Sequence, residues 1–176
     1  MRHVGLFATR LVLGSYLAVH GVKKLSGYFG GPGLNATATS FDALGMRPGK
    51  VMAALAGASQ LGGGVLTVTG IADPLGPMLI AGNMAVATVA LRKNGPMSRD
   101  GGYELPLTDL ALAVALMSSG AGRLRIGSPL SKSLVRIATV VGVVMAIGAL
   151  TQLLRERPTT PVVPQEVNVH TGGVSA

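Results

Sequence analysis

Five stretches of apolar residues, separated by short polar clusters, dominate the pattern along the chain. A helix that crosses a membrane needs ~20 mostly apolar residues, because ~30 Å of hydrocarbon is crossed at ~1.5 Å per residue. Three stretches carry no charged residue, the first contains Arg10, and the fourth contains Asp109. The pattern predicts five transmembrane helices, at residues 4–22, 51–72, 74–91, 105–122 and 137–154.

Small residues recur four positions apart in every predicted span. Such residues share one helical face and let helices approach closely, and helix association in lipid depends on this. These residues are Gly14 and Ala18; Ala54, Ala58 and Gly62; Ala81 and Ala85; Ala111, Ala115 and Ser119; and Ala138, Gly142 and Ala146. We therefore predict an all-α, polytopic membrane bundle.

The predicted helices divide the chain into a core and an extension. A four-helix core occupies residues 1–127, and a connecting loop and a fifth transmembrane helix occupy residues 128–157. A short interfacial helix is predicted at residues 36–44, in the loop between the first two spans. The tail at residues 158–176 is rich in Pro, Thr and Val with little charge or pattern, and we expect it to be disordered.

The composition agrees with a membrane protein and excludes several kinds of chemistry. Hydrophobic residues make up 48% of the chain and charged residues 12%, about half of the ~25% usual in soluble domains. The absence of cysteine excludes thiolate catalysis and cysteine-ligated metal or iron–sulfur sites within this chain. The three histidines are scattered, so we expect no metal site and no covalently bound cofactor.

The net charge of +8 comes largely from basic residues that flank the apolar spans. No basic stripe carries interleaved aromatic residues, so the charge predicts contacts with membrane lipids rather than with nucleic acid. With five spans, nine basic residues lie on the side where the last span ends and five lie on the other side. The positive-inside rule then predicts a cytoplasmic C-terminus.

Ionisable residues inside or beside the spans define a candidate site, because each is costly in lipid unless it is paired or wetted. The first span ends and the fourth begins on the same side of the membrane. His20 and Lys24 are therefore level with Glu104, with Asp109 about one turn deeper, and Gln60 lies deeper on that side. We expect a polar mouth of the bundle there, where opposite charges offset each other's desolvation.

A plainer interpretation stays open for most of these residues. Lys24 and Glu104 are close enough to the interface to reach the headgroups, and His20 is typical of a hydrogen-bonding residue at a helix end. Asp109 is not explained in this way, because it lies inside an apolar run. We expect Arg10 to snorkel toward the opposite face of the membrane.

The order of several short motifs resembles the DoxX family of bacterial membrane proteins. The two most specific motifs are His20-Gly21-Val22-Lys23-Lys24-Leu25 and Gly101-Gly102-Tyr103-Glu104-Leu105-Pro106-Leu107. Further matching segments are residues 10–14, 41–45, 56–64, 69–70 and 120–123. The resemblance covers about residues 10–127.

The resemblance implies a four-helix core in a bacterial plasma membrane and a link to redox metabolism. Relatives include subunits of a thiosulfate:quinone oxidoreductase. Carried over to this chain, the family's polar positions are Gly21, Lys24, Gln60 and Glu104. Gln60 departs from the pattern because a carboxylate is commoner there, and an amide cannot exchange protons.

Three functions follow as hypotheses. The first is a non-enzymatic or auxiliary membrane subunit that anchors oxidoreductase partner proteins, with association between copies of the chain left open. The second is a quinone-interacting subunit, in which His20 and Lys24 hydrogen-bond quinone carbonyls and Glu104 or Asp109 carries the accompanying proton. The third is a small-solute or lipid transporter, for which the spans show no convincing inverted repeat.

Overall fold

The computed structural model describes residues 2–155, and in this range the regular structure is entirely helical. The predicted disordered tail at residues 158–176 lies outside the described residues. Short 3₁₀ turns follow the fourth helix, at Arg92–Asn94 and Ser98–Asp100. The α-helices are α1 (Arg2–Ser26), α2 (Gly33–Ala43), α3 (Gly49–Thr69), α4 (Leu75–Leu91), α5 (Glu104–Ser119) and α6 (Lys132–Arg155).

Helices α1, α3, α4 and α5 form the predicted four-helix bundle. Helix α1 packs against α3, α3 against α4, and α4 against α5, while a sparser contact between α1 and α5 closes the ring. We call the end of the bundle where α1 and α6 begin the N-terminal face, and the end where they finish the C-terminal face. Because neighbouring helices run antiparallel, α3 and α5 end at the N-terminal face.

Four of the described helical segments are long and apolar enough to cross a membrane: His3–Ser26, Gly49–Thr69, Leu75–Asn94 and Lys132–Arg155. Helix α5 completes the bundle with 16 residues, which span ~24 Å at ~1.5 Å per residue. Helix α6 packs on α4 by a narrow face and is otherwise exposed. The prediction of a helical membrane bundle with an added C-terminal helix is confirmed.

Glycine lets α1 and α3 come close together. A Cβ atom added to Gly64 would lie 2.4 Å from the carbonyl oxygen of Gly14, and one added to Gly21 would lie 2.4 Å from the amide nitrogen of Leu61. Both distances are far shorter than a van der Waals contact. The two helix backbones therefore touch along this interface, as close packing of small residues in lipid requires.

The small-residue face predicted for α3 is the wrong face. Ala58 is exposed, and a Cβ atom added to Gly62 would meet no other atom within 4 Å. The buried residues of α3 are instead Gly49, Ala53, Gly57, Gln60, Gly63, Gly64 and Thr67. Alanine and glycine are so frequent in α3 that spacing alone does not identify the packed face.

The short helix predicted at residues 36–44 is present as α2, Gly33–Ala43, which packs on α3 and on α1. Its place at the membrane interface stays a prediction. Its Thr37 and Ala38 are buried. The Asp42 carboxylate accepts a hydrogen bond of 2.8 Å from the backbone N–H of Gly49 at the start of α3. This contact satisfies one of the amide groups that lack a partner in the first turn of a helix, so α2 also fixes where α3 begins.

Candidate functional site

Arg10 is buried, with 2% of its surface exposed, and its guanidinium binds four backbone carbonyl oxygens. Nε donates to Thr67 at 2.7 Å, and Nη2 donates to Val68 at 2.7 Å. Nη1 donates to Ala121 at 2.6 Å and to Leu124 at 2.7 Å. The expectation that Arg10 snorkels to the membrane surface is therefore wrong, because carbonyl groups inside the protein satisfy its charge.

Thr67 and Val68 lie in the last turn of α3, where carbonyl groups have no intrahelical partner, and Ala121 and Leu124 lie in the loop after α5. The last carbonyls of a helix favour a cation through hydrogen bonds and through the helix dipole. Asp73, in the turn after α3, accepts a bond of 3.1 Å from the N–H of Ala121. Burial raises the pKa of the Asp73 carboxyl, while that bond and the nearby Arg10 and Arg125 oppose the shift. We call Arg10, its four carbonyl acceptors and Asp73 the Arg10 clamp.

A second polar cluster lies on the side of α1 that faces α5. The hydroxyl of Tyr16 donates to the carboxylate Oδ1 of Asp109, which is 7% exposed and lies within the second turn of α5. The ring of His20 stands edge-on to Tyr16, with 5.9 Å between ring centroids and an interplanar angle of 84°. We call Tyr16, His20 and Asp109 the carboxylate site.

The helix pattern explains how this site forms. Tyr16 and His20 are four residues apart and so lie one above the other on α1. His20 is exposed and close enough to Asp109 for their charges to interact. Among the described residues, His20 makes no hydrogen bond, so its ring nitrogens are available to a ligand.

A groove of about 340 Å³ leads away from this cluster along the wall of the bundle. It lies between α1 and α5, where the helices pack less closely than α1 and α3. Tyr16 belongs to both the groove and the carboxylate site. The groove is lined by Ala8, Thr9, Val12, Leu13, Tyr16 and Leu112.

The structure brings together only some of the residues predicted for the polar mouth. His20 and Asp109 both contact Tyr16, whereas Gly21 is a packing residue against α3. Lys24 is half-buried and has no hydrogen bond or ion pair within residues 2–155. Gln60 is 4% exposed, and its Oε1 has no hydrogen-bond partner in the described part of the chain.

Glu104 has a local structural role in the loop before α5. Its Oε1 accepts a 2.9 Å bond from the backbone N–H of Ser98 and a second bond from the Ser98 hydroxyl. These bonds hold the 3₁₀ turn at Ser98–Asp100 against the start of α5. No hydrogen bond or ion pair among residues 2–155 joins Glu104 to His20, Lys24 or Asp109.

Two polar residues that make contacts between helices were not predicted from the sequence. Tyr16 could have been found from its spacing of four residues from His20, which is an aromatic–histidine pair on one face of a membrane helix. Asn83, an amide inside an otherwise apolar span, donates to the carbonyl of Ala56 at 2.9 Å and to the hydroxyl of Ser59 at 2.6 Å. This pair of bonds joins α4 to α3, as polar side chains often do between membrane helices.

The carboxylate site combines a free imidazole with a carboxylate that has capacity for further hydrogen bonds. A carboxylate accepts about four bonds and an imidazole both donates and accepts, so the cluster fits a ligand oxygen that alternates between carbonyl and hydroxyl. Within residues 2–155, no group of three His, Cys, Asp or Glu residues is arranged to hold a metal ion. The side chains of the site can hydrogen-bond and exchange protons.

Comparison with known proteins identifies a family. The model of the DoxX family matches residues 5–93, just over half of the chain. The match spans α1 to α4 and ends before Glu104 and Asp109. No curated protein and no solved structure shows significant similarity to the chain. On the family match, the chain belongs to the DoxX family.

Proposed function

We propose that this protein is an auxiliary membrane subunit of a redox system and that it holds the head group of a quinone at the carboxylate site. The observation that supports the proposal is the buried Asp109 carboxylate, bonded to Tyr16 and next to the unbonded ring of His20. An ionisable residue inside a membrane helix is costly, and such residues commonly mark sites of function.

Each residue of the site has a distinct role in this proposal. The His20 ring N–H donates to a quinone carbonyl oxygen, and the Asp109 carboxylate accepts the hydroxyl that the same oxygen carries in the quinol. Tyr16 positions the Asp109 carboxylate through its hydroxyl. Electrons come from an oxidoreductase partner, while His20 and Asp109 hold and exchange the protons that accompany them.

The setting of the site in the membrane supports this class of ligand. Quinones dissolve in the hydrocarbon, and Tyr16 lies near the middle of α1 rather than at a water-filled mouth. We place the protein in a bacterial plasma membrane with the C-terminal face in the cytoplasm, because the basic residues are more numerous at that face. Helices α1, α3, α4 and α6 are each uninterrupted, so no broken helix favours transport.

The test is to purify the native protein in mild detergent and to measure quinone per protein by mass spectrometry. We expect about one quinone per chain in the wild type, and a loss of most of it in Asp109→Asn and His20→Phe. Glu104→Gln is the matched control, because this carboxylate bonds only to its own loop. Oxidoreductase subunits that co-purify in stoichiometric amounts would support the auxiliary role.

Two outcomes would contradict the proposal. If the wild type retained no more quinone than the co-purified bulk lipid accounts for, the protein would have no specific site for the head group. Equal quinone in Asp109→Asn, His20→Phe and Glu104→Gln would place the ligand elsewhere on the protein. If only bulk lipid came with the chain, transport would become the hypothesis to test.

A further inference from the structure

Two adjacent aromatic residues lie exposed in the turn between α1 and α2. Tyr28 is 72% exposed and Phe29 is 70% exposed, more than any other large hydrophobic side chain among the described residues. The chain has three tyrosines, three phenylalanines and no tryptophan, so an exposed pair of neighbouring aromatic residues is a distinctive feature of its surface. We call residues 27–32 the aromatic turn.

Hydrogen bonds within the aromatic turn fix its backbone. The N–H of Gly27 donates to the Lys23 carbonyl at 3.2 Å. The N–H of Gly31 donates to the carbonyls of Gly27 at 3.1 Å and of Tyr28 at 3.2 Å. Gly31 also lies directly against α1, since a Cβ atom added to it would be 2.4 Å from the Lys23 carbonyl oxygen. The turn therefore folds back on the end of α1 and holds its aromatic residues in a defined place.

Phe29 has a backbone conformation that costs free energy. Its φ is 56°, in the left-handed region that is unfavourable for a residue with a Cβ atom. Because its side chain is mostly exposed, contacts within the described part of the chain do little to offset this cost. Backbone strain that persists commonly marks a functional position, so we look for the compensating contact outside the chain.

The aromatic turn lies at the level where the hydrocarbon of a membrane ends. It begins one residue after Ser26, the last residue of the membrane-spanning segment His3–Ser26. Tyrosine is enriched at this level of membrane proteins, because its ring is apolar and its hydroxyl is polar. The hydrogen bonds inside the turn also reduce the cost of removing its backbone from water.

Positive charge is in excess at this end of the bundle. In the described range 2–155, the basic residues at the C-terminal face are Lys23, Lys24, Arg47, Lys50, Arg92, Lys93, Arg99 and Arg155. The acidic residues there are fewer, and each already accepts a hydrogen bond or an ion pair within the chain; they are Asp42, Asp100 and Glu104. A surface of anionic lipid complements this excess of positive charge.

We infer that Tyr28 and Phe29 insert into the headgroup region of an anionic membrane surface at the C-terminal face, where basic residues contact the lipid phosphates. Burial of both rings away from water supplies the stabilising contact that the strained Phe29 backbone lacks inside the chain. The lipid surface is favoured over a protein partner because it lies at this level of the bundle in every state of the protein. This contact goes beyond the proposed function, since it involves neither quinone nor the carboxylate site.

The absence of tryptophan from the chain permits a test with single-tryptophan variants of the full chain. Phe29→Trp and Tyr28→Trp each keep an aromatic ring in the turn and make it fluorescent. Val144→Trp is the control for the hydrocarbon region, because Val144 is 62% exposed near the middle of α6. Each variant is reconstituted in vesicles of phosphatidylcholine and phosphatidylglycerol. Lipids brominated near the headgroup or deep in the acyl chain quench from the membrane, and acrylamide quenches from water.

The quenching profile should differ between the turn and the control. We expect tryptophan at position 28 or 29 to be quenched most by bromine near the headgroup and to be protected from acrylamide. Tryptophan at position 144 should be quenched most by deep bromine. At the same mole fraction, brominated phosphatidylglycerol should quench the Phe29→Trp protein more than brominated phosphatidylcholine does, because basic residues enrich the anionic lipid locally. The Val144→Trp protein should show a smaller difference between the two lipids.

Three results would overturn the inference. Strong quenching by acrylamide without quenching by any brominated lipid would leave the turn in water, and a protein partner would then be the occupant to test. Quenching of both turn variants by deep bromine, as strong as that of Val144→Trp, would place the rings in the hydrocarbon. Equal quenching of Phe29→Trp by the two headgroup types would show that the turn does not select an anionic surface.

Discussion

Helix α1 has two unlike sides. On the side of α3 the backbones touch at Gly14 and Gly64, and Arg10 is held by two carbonyl oxygens of α3 and by two of the loop after α5. On the side of α5 the contact is sparser, a groove remains open, and Asp109 has one bond, from Tyr16. The two ionisable residues look alike in the sequence, since each interrupts an apolar span.

The difference lies in how completely each charge is satisfied. The Arg10 guanidinium has five N–H donors and uses four bonds inside the protein, so little capacity is left for a ligand. The Asp109 carboxylate receives one bond of about four that it can accept, and the unbonded His20 lies beside it. A charge with saturated partners indicates a structural role, whereas one with spare capacity beside an open groove indicates a binding role.

Removal of the arginine should have the largest effect on stability. Arg10→Ala leaves the carbonyls of Thr67, Val68, Ala121 and Leu124 buried without their donor. We expect a loss of about 3–5 kcal/mol in the free energy of unfolding, measured by reversible denaturation in detergent. The control Arg136→Ala changes an exposed arginine of α6 and should cost less than about 0.5 kcal/mol. Equal losses in the two variants would show that the clamp is not structural.

A substitution at the close contact of α1 with α3 should reduce the free energy of unfolding nearly as much. In Gly64→Ala the new methyl group meets the backbone oxygen of Gly14, and we expect a loss of about 1–3 kcal/mol from overpacking. Two residues away on the same helix, Gly62→Ala meets no atom within 4 Å and should gain up to about 1 kcal/mol from better helix propensity. The same denaturation assay compares them, and a stable Gly64→Ala protein would mean that the two helices are further apart.

A substitution on the α5 side of α1 should have the opposite effect, a loss of quinone binding with little loss of stability. In Asp109→Asn the amide oxygen still accepts the Tyr16 hydroxyl, so we expect a change of about 1 kcal/mol or less. Quinone retained per protein should nevertheless fall at least roughly tenfold, which corresponds to about 1.4 kcal/mol of binding free energy. An Asp109→Asn protein that loses stability but retains its quinone would contradict this difference between the two sides of α1.

Substitution of Glu104 should have the smallest effect on stability and on quinone retention. Glu104→Gln keeps an oxygen that can accept from Ser98, and the side chain lies away from both the Arg10 clamp and the groove. We expect quinone retention equal to that of the wild type and an unchanged unfolding midpoint. A large loss of quinone in this variant would indicate that the quinone binds at the aqueous mouth of the bundle instead.

The sequence predicts the features of the fold that depend on local pattern. Apolar runs locate the membrane helices, and the short amphipathic segment locates α2. The partners of Arg10 cannot be predicted from the sequence, because they are backbone groups of residues 57 to 114 positions away in the chain. The packed face of α3 is missed for a different reason, since Ala58 and Gly62 look the same as Gly57 and Gly64 without knowledge of the neighbouring helix.

The candidate site was predictable only in part for a related reason. Topology alone places His20 and Asp109 near the same level, and the structure brings them together. Glu104 is at a similar level, but side-chain direction turns it to Ser98, and depth in the membrane does not reveal direction. Tyr16 was missed because a tyrosine in an apolar span carries no charge to draw attention to it.

The most direct test of a binding role for the α5 side is infrared difference spectroscopy of a quinone labelled with ¹³C at its carbonyl groups. We expect a carbonyl band of the bound quinone at lower frequency than in lipid, because His20 donates a hydrogen bond to it. That shift should disappear in His20→Phe and persist in Glu104→Gln. A carbonyl band that is the same in the wild type and in His20→Phe would show that His20 does not bind the quinone.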